Sequence, residues 1–75
     1  MTPVTGHAAI VELLGWAVGA EAPVRLRSAE GQEVVGVPLA LDTHVTAHEV
    51  VLRPVGDEAT ELVVALARVV SAELL

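Results

Sequence analysis

The sequence predicts a mainly β domain in which one N-terminal helix precedes five short antiparallel strands that form a strongly bent small barrel. Apolar residues first recur at helical spacing and later alternate with polar ones, as they do in strands. Valine dominates an apolar fraction of 53%, and the chain has no Phe, no Tyr and one Trp; valine favours strands because its branched side chain suits a pleated sheet. A glycine and a proline also interrupt one long β-branched run, which indicates a bend.

Length and charge narrow the possible functions. Seventy-five residues without cysteine predict one domain, 1–75, that depends on packing or assembly for stability. Ten acidic residues and four arginines give a formal net charge of −6. Because nucleic-acid binding draws its strength from cationic contacts, this balance disfavours direct binding to a phosphate backbone. We therefore expect a basic protein partner.

The apolar runs are much shorter than the roughly 20 residues that cross a bilayer. The first residues also lack the basic region, apolar stretch and small-residue cleavage site of a signal peptide. These features predict a cytoplasmic protein.

The helix is expected over about residues 5–18, with Thr5 as its N-cap and Gly19 as its stop. One apolar stripe carries the helical spacing: Ile10, Leu13, Leu14, Ala17 and Val18. Glu12 and Trp16 fall together on the edge away from this stripe. Trp16 is either a contact residue for a partner or a cover over the end of the barrel.

The first two strands are expected over about residues 23–29 and 32–42. Arg25 and Arg27 alternate with apolar residues and should point away from the core. A tight turn at Glu30 and Gly31 joins the strands, and Gly36 should mark the bend because a glycine permits close backbone approach. Simple alternation places four residues on one face of the second strand: Val35, Val37, Leu39 and Leu41.

The remaining strands are expected over about residues 48–54, 60–67 and 69–72. Residues 42–49 form a polar loop or hairpin tip before the third of the five strands. Residues 68–75 fit neither period cleanly, so a last short strand or a helical tail is possible there. We favour the strand because a barrel needs it for closure.

The arrangement of a helix, a strand, an acidic-Gly turn and a glycine inside a bent strand resembles the Sm-like small β-barrel. The matching residues are Glu30, Gly31, Glu33, Val34, Gly36 and Asp42. Glu49 stands where Sm proteins have Asn, and Arg68 is followed by Val69 rather than Gly. The resemblance therefore does not extend to the residues with which Sm proteins bind RNA bases.

Three segments also resemble the Rho-inhibitor (Rof) family of short acidic bacterial proteins: residues 22–26, 36–43 and 66–73. That resemblance implies a protein that covers the RNA-binding domain of the transcription termination factor Rho with an acidic surface. Glu12, Glu21 and Asp42 are the acidic positions it suggests for partner binding, with Trp16 as an apolar anchor beside them. Gly31 and Gly36 would be structural.

Catalytic and metal alternatives rest on few residues. Ser28 or Ser71 with His44 or His48 could form part of a hydrolase site, but no nucleophile elbow surrounds either serine. His44 and His48 have the spacing of a helical metal site, which converges only if the segment is helical. We therefore expect no enzyme activity, cofactor or metal.

Two binding functions remain open at the level of sequence. The first is an acidic module that masks a basic, RNA-binding surface on a partner such as Rho and promotes transcription antitermination. The second is an Sm-like barrel that binds RNA or assembles into a ring through strand edges.

Overall fold

The computed structural model describes residues 2–44, 47–57 and 59–75. The elements in chain order are β1 (Val4–Thr5), α1 (His7–Ala20), β2 (Val24–Ser28), β3 (Glu33–His44), β4 (Ala47–Pro54), β5 (Leu62–Ala65), a 3-10 helix (Leu66–Arg68) and β6 (Val69–Leu74). The prediction of a mainly β protein with one N-terminal helix is confirmed.

The strands form one antiparallel sheet in the order β1-β6-β2-β3-β4-β5. Among the described residues the sheet has six strands rather than the expected five, and it is not closed there, since β1 and β5 stand at its two ends. The extra strand is β1, in a segment where no strand was predicted. Val4 pairs with Ala72 and Thr5 pairs with Ser71, an arrangement that sequence periodicity cannot indicate over two residues.

The helix begins and ends later than expected. Thr5 is not its N-cap, because the backbone of Thr5 is committed to β1; the cap is Gly6, with φ of 89° and no side-chain capping bond. Gly19 does not stop the helix either. The turn comes at Glu21, whose left-handed backbone (φ of 52°) follows the last helical residue, and the Ala22 N–H then donates to the carbonyl of Ala17 at 3.0 Å.

A β-bulge between Pro38 and Ala40 changes which side chains of β3 face inward. Before the bulge Pro38 opposes the buried Leu52, and after it Leu41 opposes the buried Val50. Leu41 therefore packs against the core while Leu39 is exposed. The prediction that Val35, Val37, Leu39 and Leu41 share one face is wrong, because the extra residue shifts the alternation by one.

Residues 42–44 and 47–49 extend β3 and β4 as an antiparallel hairpin, the second of the two predicted alternatives, rather than a polar loop. Asp42 pairs with Glu49, Thr43 with His48, and the backbone of His44 with that of Ala47. Residues 45 and 46, at the tip of this predicted hairpin, lie outside the described residues. Polar composition suggested a loop here, although a hairpin that rises beyond the core also has solvent on its faces.

The observed bounds of β5 differ from those predicted for the fourth strand. The strand predicted over 60–67 is shorter, and its final part turns into the 3-10 helix. This turn places Leu66 in the core with 2% of its surface exposed. The final segment is a strand rather than a helical tail, and it reaches Leu74 because Val24 and Arg25 of β2 pair with Leu74 and Glu73.

The core lies between α1 and the inner face of the sheet. Its buried apolar residues are Ile10, Leu14, Ala17, Val24, Leu26, Val50, Leu52, Leu66, Val69 and Ala72. No helix in the described part of the chain has the length and apolar character that a membrane crossing needs.

Candidate partner-binding surface

Glu12 and Trp16 line one groove on the outer side of α1. The groove has a volume of about 380 Å³, and its other lining residues are Val4, Ala9, Leu13 and Leu74. Trp16 is 59% exposed, which is unusual for so large an apolar side chain. The structure therefore brings together two of the four predicted partner-binding residues, a carboxylate and an indole.

The fold creates this groove by pairing β1 with β6 beside the helix. Ile10, Leu14 and Ala17 are buried on the inner face of α1, so Glu12 and Trp16, one helical turn apart, fall on the outer edge. Val4 and Leu74 come from β1 and β6 and supply the apolar opposite wall. The sequence did not identify Val4 or Leu74 as site residues, because β1 was not predicted and the last strand was expected to end at residue 72.

Glu21 and Asp42 are not among the lining residues of this groove. Glu21 is exposed at the C-terminal end of α1. A negative charge there opposes the helix dipole, and a side chain disfavours the left-handed backbone. Glu21 is therefore placed at some energetic cost.

Asp42 lies on the hairpin of β3 and β4, directly opposite Glu49. Both residues are half-buried. Directly opposed carboxylates on neighbouring strands concentrate negative charge. The structure thus places Asp42 in a second acidic position, formed with Glu49, which the sequence analysis did not select for binding.

Gly31 and Gly36 meet two different structural needs. Gly31 has φ of 85° in the turn from β2 to β3, where its N–H donates to the carbonyl of Ser28 at 3.0 Å. Gly36 opposes Pro54, and a β-carbon added there would lie 2.6 Å from the carbonyl oxygen of Arg53. The close approach of β3 and β4 at this point depends on the missing side chain.

The two strand arginines are held by carboxylates across the sheet. Arg25 opposes Glu73 in the register of β2 and β6, and its Nη1 donates to Glu73 Oε1 at 2.6 Å. Arg27 opposes Glu33 on β3 and donates a hydrogen bond to it, while Arg25 Nε lies 3.7 Å from the other Glu33 oxygen. The arginines project from the outer face as expected, but they do not form an isolated cationic patch.

The contacts among Arg25, Arg27 and Glu33 shift the pKa values of Glu33 and Arg27. The hydrogen bond from Arg27, with the positive charges of both arginines, holds the pKa of Glu33 below its ordinary value. The same hydrogen bond and the charge of Glu33 raise the pKa of Arg27. Both shifts favour the charged pair.

The serine and histidine candidates lie on strand segments at opposite ends of β3. Ser28 lies where β2 meets the turn, and Ser71 opposes Arg27 beside it; the hairpin with His44 and His48 is at the other end of β3. The extended backbone at both histidines removes the helix that the metal hypothesis requires. Instead the His48 ring packs at 5.4 Å from the ring of His7.

The described residues contain no group of three or more His, Cys, Asp or Glu side chains that could hold a metal ion.

No protein-family model, curated protein or solved structure gives a significant match to this chain. Its function must therefore be argued from the surface described above.

Proposed function

We propose that the protein is a non-enzymatic acidic interaction module that masks a basic, RNA-binding surface on a partner protein. The observation that carries this proposal is the shared groove of Glu12 and Trp16, in which a carboxylate stands beside an exposed indole over an apolar wall. A groove with these three components suits the side chain of an arginine or a lysine.

Each component would contact a different part of that cationic side chain. The Glu12 carboxylate offers an ion pair, and the face of Trp16 offers a cation–π contact, which is worth about 0.5–2 kcal/mol according to how fully it is desolvated. Val4, Leu13 and Leu74 can cover the aliphatic stem, which long basic side chains bury readily. The groove thus selects a basic side chain by both charge and shape.

The other charged residues also favour a basic protein partner over RNA. Two of the four arginines are engaged by Glu33 and Glu73, so little positive charge remains to attract RNA. Asp42 with Glu49, and Glu21 at the helix end, add negative charge on other parts of the surface. A long-range field of this sign speeds association with a basic partner and repels nucleic acid.

The Rho-inhibitor family supplies the specific form of this proposal. In it the partner is the RNA-binding domain of Rho, the outcome is antitermination, and the protein acts in the cytoplasm. The topology is compatible with a strongly bent, Sm-like small barrel: four successive strands, β2 to β5, are antiparallel neighbours, and the bulge lies inside the long β3.

One observation favours the second candidate function, assembly through a strand edge. β5 stands at the end of the sheet with no further strand beside it among the described residues, and its Val63 is 60% exposed. An exposed apolar edge strand can pair with another chain. A ring-sized mass by light scattering, with a mobility shift of RNA, would favour this candidate over the first.

Calorimetric titration of purified Rho with the protein tests the leading proposal. Wild type should bind saturably and more weakly as salt rises. Trp16→Ala should weaken binding by tenfold or more, the loss expected for an aromatic anchor, and Glu12→Lys and Asp42→Lys should weaken it as well. Glu30→Lys is the matched control, because Glu30 lies in the turn at the other end of β2 from Leu74. Absence of wild-type binding, or equal losses for Glu12→Lys and Glu30→Lys, would refute the proposal.

A further inference from the structure

A second cavity opens where the sheet fails to close. It has a volume of about 440 Å³ and lies between β5 and the end of the β2–β3 hairpin. This volume is in the range of small-molecule pockets, roughly 300–1,000 Å³. None of its lining residues lines the groove of Glu12 and Trp16, so we call it the edge cleft and treat it separately.

The edge cleft has an apolar floor and a polar rim. Leu26 and Val69 are buried beneath it, and Val34 and Val64 are half-buried beside them. The polar members are Arg27, Ser28, Gln32 and Arg68. No carboxylate is among the described residues that line the cleft, although the chain has ten acidic residues and only four basic ones. The described ionisable residues of the lining are therefore both arginines, on a chain with a formal net charge of −6.

Among the residues that the structure describes, Arg68 is the cation of the cleft that has no ion pair. Arg27 is already hydrogen-bonded to Glu33. Arg68 stands on the 3-10 helix with an exposed side chain, and its guanidinium has no ion pair with any described carboxylate. Ser28 Oγ accepts a hydrogen bond from the Gln32 N–H at 3.2 Å, which leaves the hydroxyl hydrogen of Ser28 free to donate.

We propose that the edge cleft binds a small amphipathic carboxylate with an unbranched acyl chain. The carboxylate lies against the guanidinium of Arg68 and the Ser28 hydroxyl, and the chain covers Val34, Val64 and the buried Leu26 and Val69. Charge complementarity determines the choice of occupant, because an arginine with no acidic partner among the described residues borders an apolar floor. A cationic amphiphile of the same length lacks the matching head group.

Decanoate, kept below its micelle concentration, is the probe for this site. In amide-correlation NMR spectra of the ¹⁵N-labelled protein, it should shift the resonances of Val34, Val64 and Val69 saturably. Decyltrimethylammonium, with the same chain length and the opposite charge, should bind at least tenfold more weakly. Butyrate, with the same head group and little chain, should also bind at least tenfold more weakly.

Matched arginine variants assign the head-group contact. Arg68→Gln should weaken decanoate binding about two- to fivefold, as expected for an exposed ion pair. Arg53→Gln removes the same charge from β4 outside the cleft and should leave the affinity within twofold of wild type.

Three results would overturn the proposal: equal affinity for the anionic and cationic amphiphiles, equal effects of the two arginine variants, or the absence of any cleft shifts. A fourth result assigns another occupant. If the same amides shift with protein concentration in the absence of decanoate, a second copy of the chain fills the cleft and the proposal is wrong.

Discussion

Gly36 offers the sharpest test of how β3 and β4 fit together. A β-carbon at this position would lie 2.6 Å from the carbonyl oxygen of Arg53 and 3.2 Å from Cα of Pro54. Both neighbours are backbone atoms, so no side-chain rotation can relieve the contact. Reaching even 3.0 Å, the limit that real β-carbons keep, requires the two strands to separate by about 0.4 Å.

That separation would be resisted by the adjacent hydrogen bond from the Val55 N–H to the Val35 carbonyl, at 3.2 Å. Forced overpacking of this kind costs about 1–3 kcal/mol. A net loss of about 2 kcal/mol lowers the melting temperature of a domain of this size by roughly 8–16 °C. We therefore expect the melting temperature of Gly36→Ala to lie roughly 8–16 °C below that of wild type. Gly36→Val should be less stable still.

Thermal unfolding followed by circular dichroism measures these differences. Gly19→Ala is the matched control, because a β-carbon at this helical glycine meets nothing within 4 Å. That variant should gain up to about 1 kcal/mol from helix propensity. A Gly36→Val protein as stable as wild type would refute the close approach of β3 and β4.

Three further predictions concern stability. Glu21→Gly should raise the free energy of unfolding by about 0.5–1 kcal/mol, because glycine adopts the left-handed backbone without strain; a decrease in urea unfolding experiments would contradict the helix end described above. Leu52→Ala should lower the free energy of unfolding by about 2–5 kcal/mol, since Leu52 is fully buried. A loss under 1 kcal/mol would show that the core is not well packed around this side chain. The lowered pKa of Glu33 means that its charged form stabilises the fold above its unfolded-state pKa, roughly 4.3, and that this contribution is lost as the pH falls through the lower, folded-state pKa. The stability difference between wild type and Glu33→Gln should therefore shrink on acidification below about pH 4, and a constant difference down to pH 2 would contradict the pairing with Arg27.

Sequence periodicity predicted which side chains share a face of a regular strand, but it missed a bulge that depends on one extra residue. The alternation in β2 correctly placed Arg25 and Arg27 on the outer face, because the strand pairs without irregularity until Ser28. In β3 the same reasoning failed after Pro38, since a bulge shifts every later side chain to the other face. The sequence contained the signal, a proline after a glycine, but not the position of the extra residue.

The candidate site was predictable only on the helix. The spacing of Glu12 and Trp16 was enough to place them on one edge of α1. Val4 and Leu74 form the opposite wall because Val4 pairs with Ala72 and Leu74 pairs with Val24. These strands are far apart in the chain, and no local pattern reports such contacts. The edge cleft depends in the same way on β5 ending early, where the 3-10 helix carries Arg68 to the rim.

Displacement of RNA from Rho tests the proposed function most directly. A fluorescently labelled RNA bound to Rho is titrated with the protein, and its anisotropy is recorded. We predict a saturable release of RNA by wild type and by Glu30→Lys, with at least tenfold more protein required for Trp16→Ala. RNA that stays bound at saturating wild-type protein would contradict the proposal that this acidic surface masks the RNA-binding surface of Rho.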